Sequence, residues 1–153
     1  VNIFATSPCP VESARFLDDK RVIKMILESA QLLSTAITLT GGEGPYRITH
    51  QNHPCSVWAR STRSNYLWLF DHFVALCDEY EARYNRLHKC EELSQVFYES
   101  ADKILDGDMT PFMNCTPHKS TPVHEAYIKT LREKWAVDKR TPTHYGRKTW
   151  AHL

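Results

Sequence analysis

The chain has 153 residues, 42% of them hydrophobic, enough for one domain with a sizeable core and too few to expect two. Its 19 lysines and arginines nearly balance 18 aspartates and glutamates, for a net charge of +1, so any affinity for a polyanion must come from local clusters rather than from overall charge. Five cysteines, Cys9, Cys55, Cys77, Cys90 and Cys115, are scattered and never spaced as CxxC, which points to a reduced, cytoplasmic protein without a zinc ribbon.

Any thiol ligand set would have to assemble from distant positions. No uninterrupted apolar run approaches the roughly 18 residues of a membrane span, and no basic region followed by an apolar block opens the chain. The expectation is a soluble protein with no membrane partner.

In chain order, VNIFA is short and extended, and the prolines of SPCPVES end it, because proline restricts itself and the residue before it. Residues 11–39 read as one long helix whose apolar face carries Ile23, Ile26, Leu27, Ala30, Leu33 and Ile37. On its other side Arg21, Lys24 and Glu28 are spaced by three and four residues. At about 100° per residue they share a face, flanked by Lys20, Gln31 and Thr35. That stripe is either a solvated surface with a weak Lys24–Glu28 pair or a phosphate-gripping surface with one carboxylate set into it.

TGGEGPYRITHQN collects Gly, Pro and Asn into a loop, and Pro54 suits the first turn of a second helical region. There Tyr66, Phe70, Phe73, Cys77, Tyr80 and Tyr84 recur every three or four residues as a core-facing stripe that runs to about Arg86. The stretch HQNHPCSVWARSTRSNYLWL sets His50, His53, Arg60, Arg63 and Asn65 beside large aromatics. Those groups are either donors for phosphates and base edges or the furniture of a capped helix start around a buried Trp58. A third helix over residues 91–105 and a fourth after Pro122, with Val123, Tyr127, Leu131 and Trp135, complete an all-α, single-domain helical bundle spanning residues 1–153.

The tail VDKRTPTHYGRKTWAHL reads as irregular, interleaving Lys139, Arg140, Arg147 and Lys148 with His144, Tyr145 and Trp150. It is either a strap that plugs the core or a set of cations and aromatic faces that closes over a DNA strand.

Two groups stand out chemically. A small first residue, Val1, suits removal of an initiator Met, and the free α-amine left behind, with a pKa of about 8, is a better nucleophile at neutral pH than a lysine at about 10.4. A helical carboxylate such as Glu28 beside that amine would be a possible proton shuttle. A metal-dependent nuclease fits less well. The eight histidines and the Asp18–Asp19 pair show no recognised ligand spacing, and neighbours on a helix diverge by about 100°.

The NIF near the start, LDDKR, Lys24, Glu28, the His53–Pro54 dipeptide and Trp58 together resemble the small pyrimidine-dimer DNA glycosylases of bacteria and phages, the endonuclease V type. The likeness covers roughly the first 90 residues, and LREKWAVDKRTPTHYGRK is similar to the basic, aromatic, Tyr-Gly-Lys-like tail of the phage enzyme. In that enzyme the glutamate sits nearer the helix start, at the position this chain gives to Met25.

The resemblance implies a compact, metal-free, cofactor-free, all-helical enzyme that acts on double-stranded DNA, here as a monomer. The implied reaction joins base excision to strand nicking through an imine on the amino-terminal amine, with Val1 and Glu28 as the catalytic pair. The residues expected to contact DNA are Lys20, Arg21, Lys24, His53, Arg60, Arg63, Asn65, Tyr145, Arg147, Lys148 and Trp150. A DNA base-modifying transferase that keeps the gripping helix without the amine chemistry, and a non-catalytic DNA-binding module, are the alternatives.

Overall fold

The structure, a computed structural model, describes residues 2–149. The expected roles of Val1 and Trp150 therefore lie outside the described residues.

The expected long first helix is two helices, α1 (Pro10–Phe16) and α2 (Asp19–Leu39). Leu17 and Asp18 between them are extended, and the Asp18 carboxylate accepts the Arg21 amide at 3.3 Å as the N-cap of α2. Aspartate satisfies an orphan first-turn donor there, which is why the chain breaks at DD instead of running through it. The buried face of α2 carries Val22, Met25, Ile26, Ser29, Ala30, Leu33 and Ile37. Ile23 and Leu27, expected on that face, lie at its margin and are 37% and 42% exposed. By length and mean hydropathy α2 is apolar enough to cross a membrane, but 61% of its most apolar window is buried inside the fold, as befits a central core helix.

The second helical region is also split. α3 (Pro54–Ser61) and α4 (Arg63–Tyr84) meet at Thr62, whose hydroxyl accepts the Asn65 amide at 3.1 Å. α4 packs along α1 and α2, and α3 lies against both α2 and α4. The aromatic stripe faces inward as expected, with Tyr66, Phe73, Cys77 and Tyr80 buried. α4 ends at Asn85, whose φ of 55° gives the left-handed stop common at helix C-termini.

In place of one helix over 91–105 there is a 3-10 turn (Lys89–Leu93), a short α5 (Ser94–Glu99) and a second 3-10 turn (Ser100–Lys103). The carbonyls of Ala101 and Ile104 turn toward the Arg63 guanidinium at 3.1 and 3.2 Å, which ends the helical run. α6 (Val123–Val137) buries Ala126, Tyr127, Thr130, Leu131 and Trp135.

The tail corrects the expectation of irregular chain. Strands β1 (Thr143–His144) and β2 (Arg147–Lys148) form a small antiparallel hairpin, turned through Tyr145 and Gly146 at φ of 53° and 78°. Positive φ at both turn residues matches the twist of the flanking strands. One carboxylate seats it: Asp19 accepts the Tyr145 amide at 2.9 Å, the Gly146 amide at 3.0 Å and the Thr143 hydroxyl at 2.7 Å. His144 donates to the Phe16 carbonyl at 2.9 Å.

Burial alone would raise the pKa of Asp19, but the Gly146 and Tyr145 amides, the Thr143 hydroxyl and the Arg83 charge more than offset it and hold it below its ordinary 3.8. A depressed carboxyl contributes stability that is full above its unfolded-state value and is lost as pH falls through its folded-state value. The protein should therefore lose stability steeply below pH 3.8. Asp19→Asn should lower stability at neutral pH by roughly 1–3 kcal/mol and flatten the acid limb. Urea unfolding across pH reads both effects, and an unchanged acid limb would contradict this role.

Candidate active site

The amino-terminal segment is threaded through the core. Ile3, Phe4, Ala5 and Thr6 are buried, and three side-chain rings hold the carbonyls that follow. His124 on α6 donates through Nδ1 to Ala5 at 2.6 Å, while on α4 the Trp68 indole donates to Pro8 at 2.8 Å and His72 Nδ1 donates to Pro10 at 3.0 Å. Burial pushes His72 down to about 4, so its ring is neutral at physiological pH and serves as a fixed donor. Phe4 adopts φ of 44° and its amide turns back to Asn2 Oδ1 at 2.8 Å. A left-handed conformation is costly for a bulky residue, and this one persists because the packing around it sets the path of the chain.

That path brings Asn2 into a cleft of about 220 Å³ lined also by Phe4, Arg21, Lys24, Met25, Glu28 and Lys134. Two stretches read separately in the sequence, the first residues and the charged stripe of α2, thus meet. Met25 is buried and Glu28, one turn later, is half-buried, so the glutamate stands at the cleft wall among three cationic side chains. The cleft wall thus sets one carboxylate beside the ammonium-bearing side chains of Lys24 and Lys134.

Arg21 is already engaged. It pairs with Asp138 through both terminal nitrogens at 2.9 and 3.2 Å and with Asp18 at 3.1 Å, so it joins the start of α2 to the end of α6. Lys20 and Lys24 are exposed on α2. A larger cleft of about 590 Å³ runs beside them past Lys20, Tyr84, Lys139, Arg140 and Thr143. Its aspartates 18, 19 and 138 are spent on hydrogen bonds within the fold.

The remaining expected contacts divide. Arg147 and Lys148 are exposed on β2, at the amino-terminal end of α2 where Asp19 seats the hairpin. Tyr145 is 52% exposed, yet its hydroxyl bonds Glu79 and its ring lies 4.3 Å from the Arg83 guanidinium. Arg60 is half-buried and donates to Ser56 at 3.0 Å.

Arg63 caps carbonyls of the 3-10 turn, as described above. His53 is half-buried and accepts the Cys55 amide at 3.1 Å as the N-cap of α3; burial lowers its pKa. Asn65 is fully buried. Its amide nitrogen donates to the Trp58 carbonyl at 2.9 Å and the Thr110 hydroxyl at 2.8 Å, and its oxygen accepts the Thr110 amide at 3.0 Å. These bonds tie the α3–α4 corner to the loop before α6 and occupy the amide's hydrogen-bonding groups within the fold.

Sequence reasoning missed Asn2 and Lys134 as cleft residues and His124 as the anchor of the amino-terminal segment. Only the LREKW stretch hinted at Lys134, by setting a cation one residue before a buried Trp135.

With the site laid out, comparison with known proteins identifies its class. The family described as pyrimidine dimer DNA glycosylase matches over residues 1–92, more than half of the chain, and the protein belongs to it. In general terms membership carries DNA glycosylase activity and a DNA substrate. No curated protein and no solved structure matches the chain. The matched region holds α1 to α4, with Asn2, Lys24 and Glu28, whereas Lys134 and the hairpin lie outside it.

Asn65→Ala should cost roughly 3 kcal/mol, because it orphans the buried Trp58 carbonyl and Thr110 amide. It should leave the salt dependence of DNA binding by the folded protein unchanged. A shallower salt slope in this variant would instead put Asn65 on a phosphate.

Proposed function

We propose that the protein excises damaged pyrimidines and then nicks the abasic strand, using the amino group of Val1 as the nucleophile and Glu28 as the acid–base group. What supports this reading is the meeting of Asn2 with Glu28 and Lys24 in one small cleft, next to a main chain pinned by His124.

In the proposed reaction the unprotonated amine attacks C1′ of the damaged nucleotide. The glycosidic bond breaks, and the base leaves with its bonding electrons and takes up a proton. Loss of the amine proton and opening of the sugar ring give an imine, which acidifies the C2′ hydrogen. Removal of that proton expels the 3′ phosphate by β-elimination. Glu28 stabilises the cationic character at C1′ and then relays protons to the ring oxygen and from C2′. A damaged base is already poorly stacked, so extruding it costs less than the few kcal/mol of a normal pair.

Lys20 and Lys24 on α2, with Arg147 and Lys148 on the hairpin, are proposed to hold the phosphates on either side of the lesion, and double-stranded DNA binds one copy of the chain. Phosphate contacts are sequence-independent, so Lys24→Ala should weaken binding to every duplex and lower the salt slope by about one unit.

Glu28→Gln removes the charge at constant size. It should preserve or tighten binding, since a carboxylate near phosphates repels them, while slowing base release by about 100-fold or more in single-turnover assays on dimer-containing duplex. Unchanged turnover would overturn the assignment of Glu28, and no base release by the wild type either would favour a module that grips DNA without cutting it.

A further inference from the structure

We propose that His53, Cys55 and Cys115 form a binding site for a thiophilic divalent cation of the zinc class. The inference stands apart from the glycosylase reading, since it uses none of the residues given roles in that reaction.

One ring nitrogen of His53 and the two sulfurs all lie within 4.8 Å of one another, and among the described residues no other three such side chains do. The sulfurs are 3.1 Å apart. A tetrahedral centre with metal–sulfur bonds of about 2.3 Å and a metal–nitrogen bond of about 2.0 Å sets its ligand atoms roughly 3.5–3.8 Å apart. The three atoms thus need to move by less than about 1 Å to receive an ion. The ligand types, imidazole and thiolate, are those that select zinc over magnesium or calcium.

The backbone holds the ligands from two sides. His53 and Cys55 come from the start of α3, whose first turn fixes their relative position. Cys115, 60 residues later, comes from the loop before α6. Tyr127 locks that loop: its hydroxyl donates to the Met113 carbonyl at 2.6 Å and accepts the Cys115 amide at 3.3 Å. The sulfurs also have polar company suited to thiolates. The Ile3 amide approaches Cys55 and the Cys55 amide approaches Cys115.

Such donors around the ligand atoms are the usual second layer of a metal site. A cation that takes His53 Nδ1 displaces the Cys55 amide from it, and the Cys115 sulfur is the acceptor at hand for that amide.

Access is available. Cys55 is buried, but Cys115 and His53 are half-buried, and Cys115 opens onto a cleft of about 440 Å³ shared with Asn2, Pro117, Glu133 and Lys134. With three protein ligands, the fourth position is left to water or to a group entering by that cleft. The bound ion would clamp the loop before α6 to α3 directly beneath residues 2 and 3.

Cobalt(II) is the probe, because thiolate-to-cobalt charge transfer reports the ligand atoms directly. Titrated into the full-length protein kept reduced with a phosphine, it should give a near-ultraviolet charge-transfer band and tetrahedral visible bands that saturate at one equivalent. Zinc should bleach them and raise the thermal midpoint. Cys115→Ser, at a half-exposed position that leaves the core intact, should abolish the charge-transfer band from Cys115 and weaken binding by about 100-fold or more, and His53→Gln should weaken it comparably. Circular dichroism shows whether each variant is folded.

If the band is absent from the wild type, or persists unchanged in folded Cys115→Ser, the site does not exist. A Cys55–Cys115 disulfide formed on mild oxidation, with no cobalt band in the reduced protein, would show the pair to be a redox couple instead and would equally overturn the proposal.

Discussion

A buried guanidinium organises this molecule. The Arg83 side chain is 1% exposed and spends its donors on four groups: the Leu17 carbonyl at 2.6 Å, the Arg15 carbonyl at 3.0 Å, and the Asp19 and Glu79 carboxylates, each at 3.1 Å. The carbonyls are those freed where α1 ends. The aspartate is the first residue of α2, and the glutamate also receives the hydroxyl of Tyr145, whose ring covers the guanidinium.

A charge taken out of water is tolerable only when it is this fully paired, and removing one partner of such a cluster typically costs about 3–5 kcal/mol. Arg83 thereby sets the angle at which α2 leaves α1, and Asp19 passes that constraint to the hairpin. Its neighbour Asp18 does the same for α6, accepting the Trp135 indole at 2.8 Å while capping α2.

The consequence for chemistry is positional. α2 carries Lys24 and Glu28, and the segment before α1 carries Asn2. Because α1 and α2 are separate helices set by Arg83, the chain leading back from α1 crosses the core and returns to the side of α2. The indole of Trp68 and the rings of His72 and His124 hold that crossing segment by its carbonyls. Had residues 11–39 formed one helix, its start would project beyond the body of the protein and the two halves of the cleft would not meet. The LDDKR stretch therefore acts here as a structural knot, and its carboxylates are unavailable for catalysis.

Much of this was legible in the order of residues, and the exceptions share a cause. The all-α class, the inward stripe of Tyr66, Phe73, Cys77 and Tyr80, and the fourth helix follow from local periodicity, which the packing preserved. The break at Asp18 was missed because apolar residues continue in helical register across it. Only the cap bond and the distant Arg83 decide the matter.

The hairpin was missed for the same reason: its strands are two residues each, and the group that orders them, Asp19, is more than a hundred positions away in sequence. The type and setting of Asn65 suit either a base-reading amide or a structural one, and its burial and internal bonds come from tertiary folding that the sequence does not display. The cleft was half-read. Lys24 and Glu28 share a helical face by spacing alone, whereas Asn2 and Lys134 reach them through tertiary folding. The His53, Cys55 and Cys115 cluster likewise depends on a loop closing over α3.

The proposed chemistry depends on the segment entering the core beside Glu28 to deliver the attacking amine. Borohydride reduces an imine to a stable amine, so treatment of the protein with dimer-containing or abasic duplex in its presence should leave DNA covalently attached, and peptide mapping should place the adduct on Val1. Attachment to Lys20, Lys24 or Lys134, or no attachment at all alongside normal DNA binding, would contradict it.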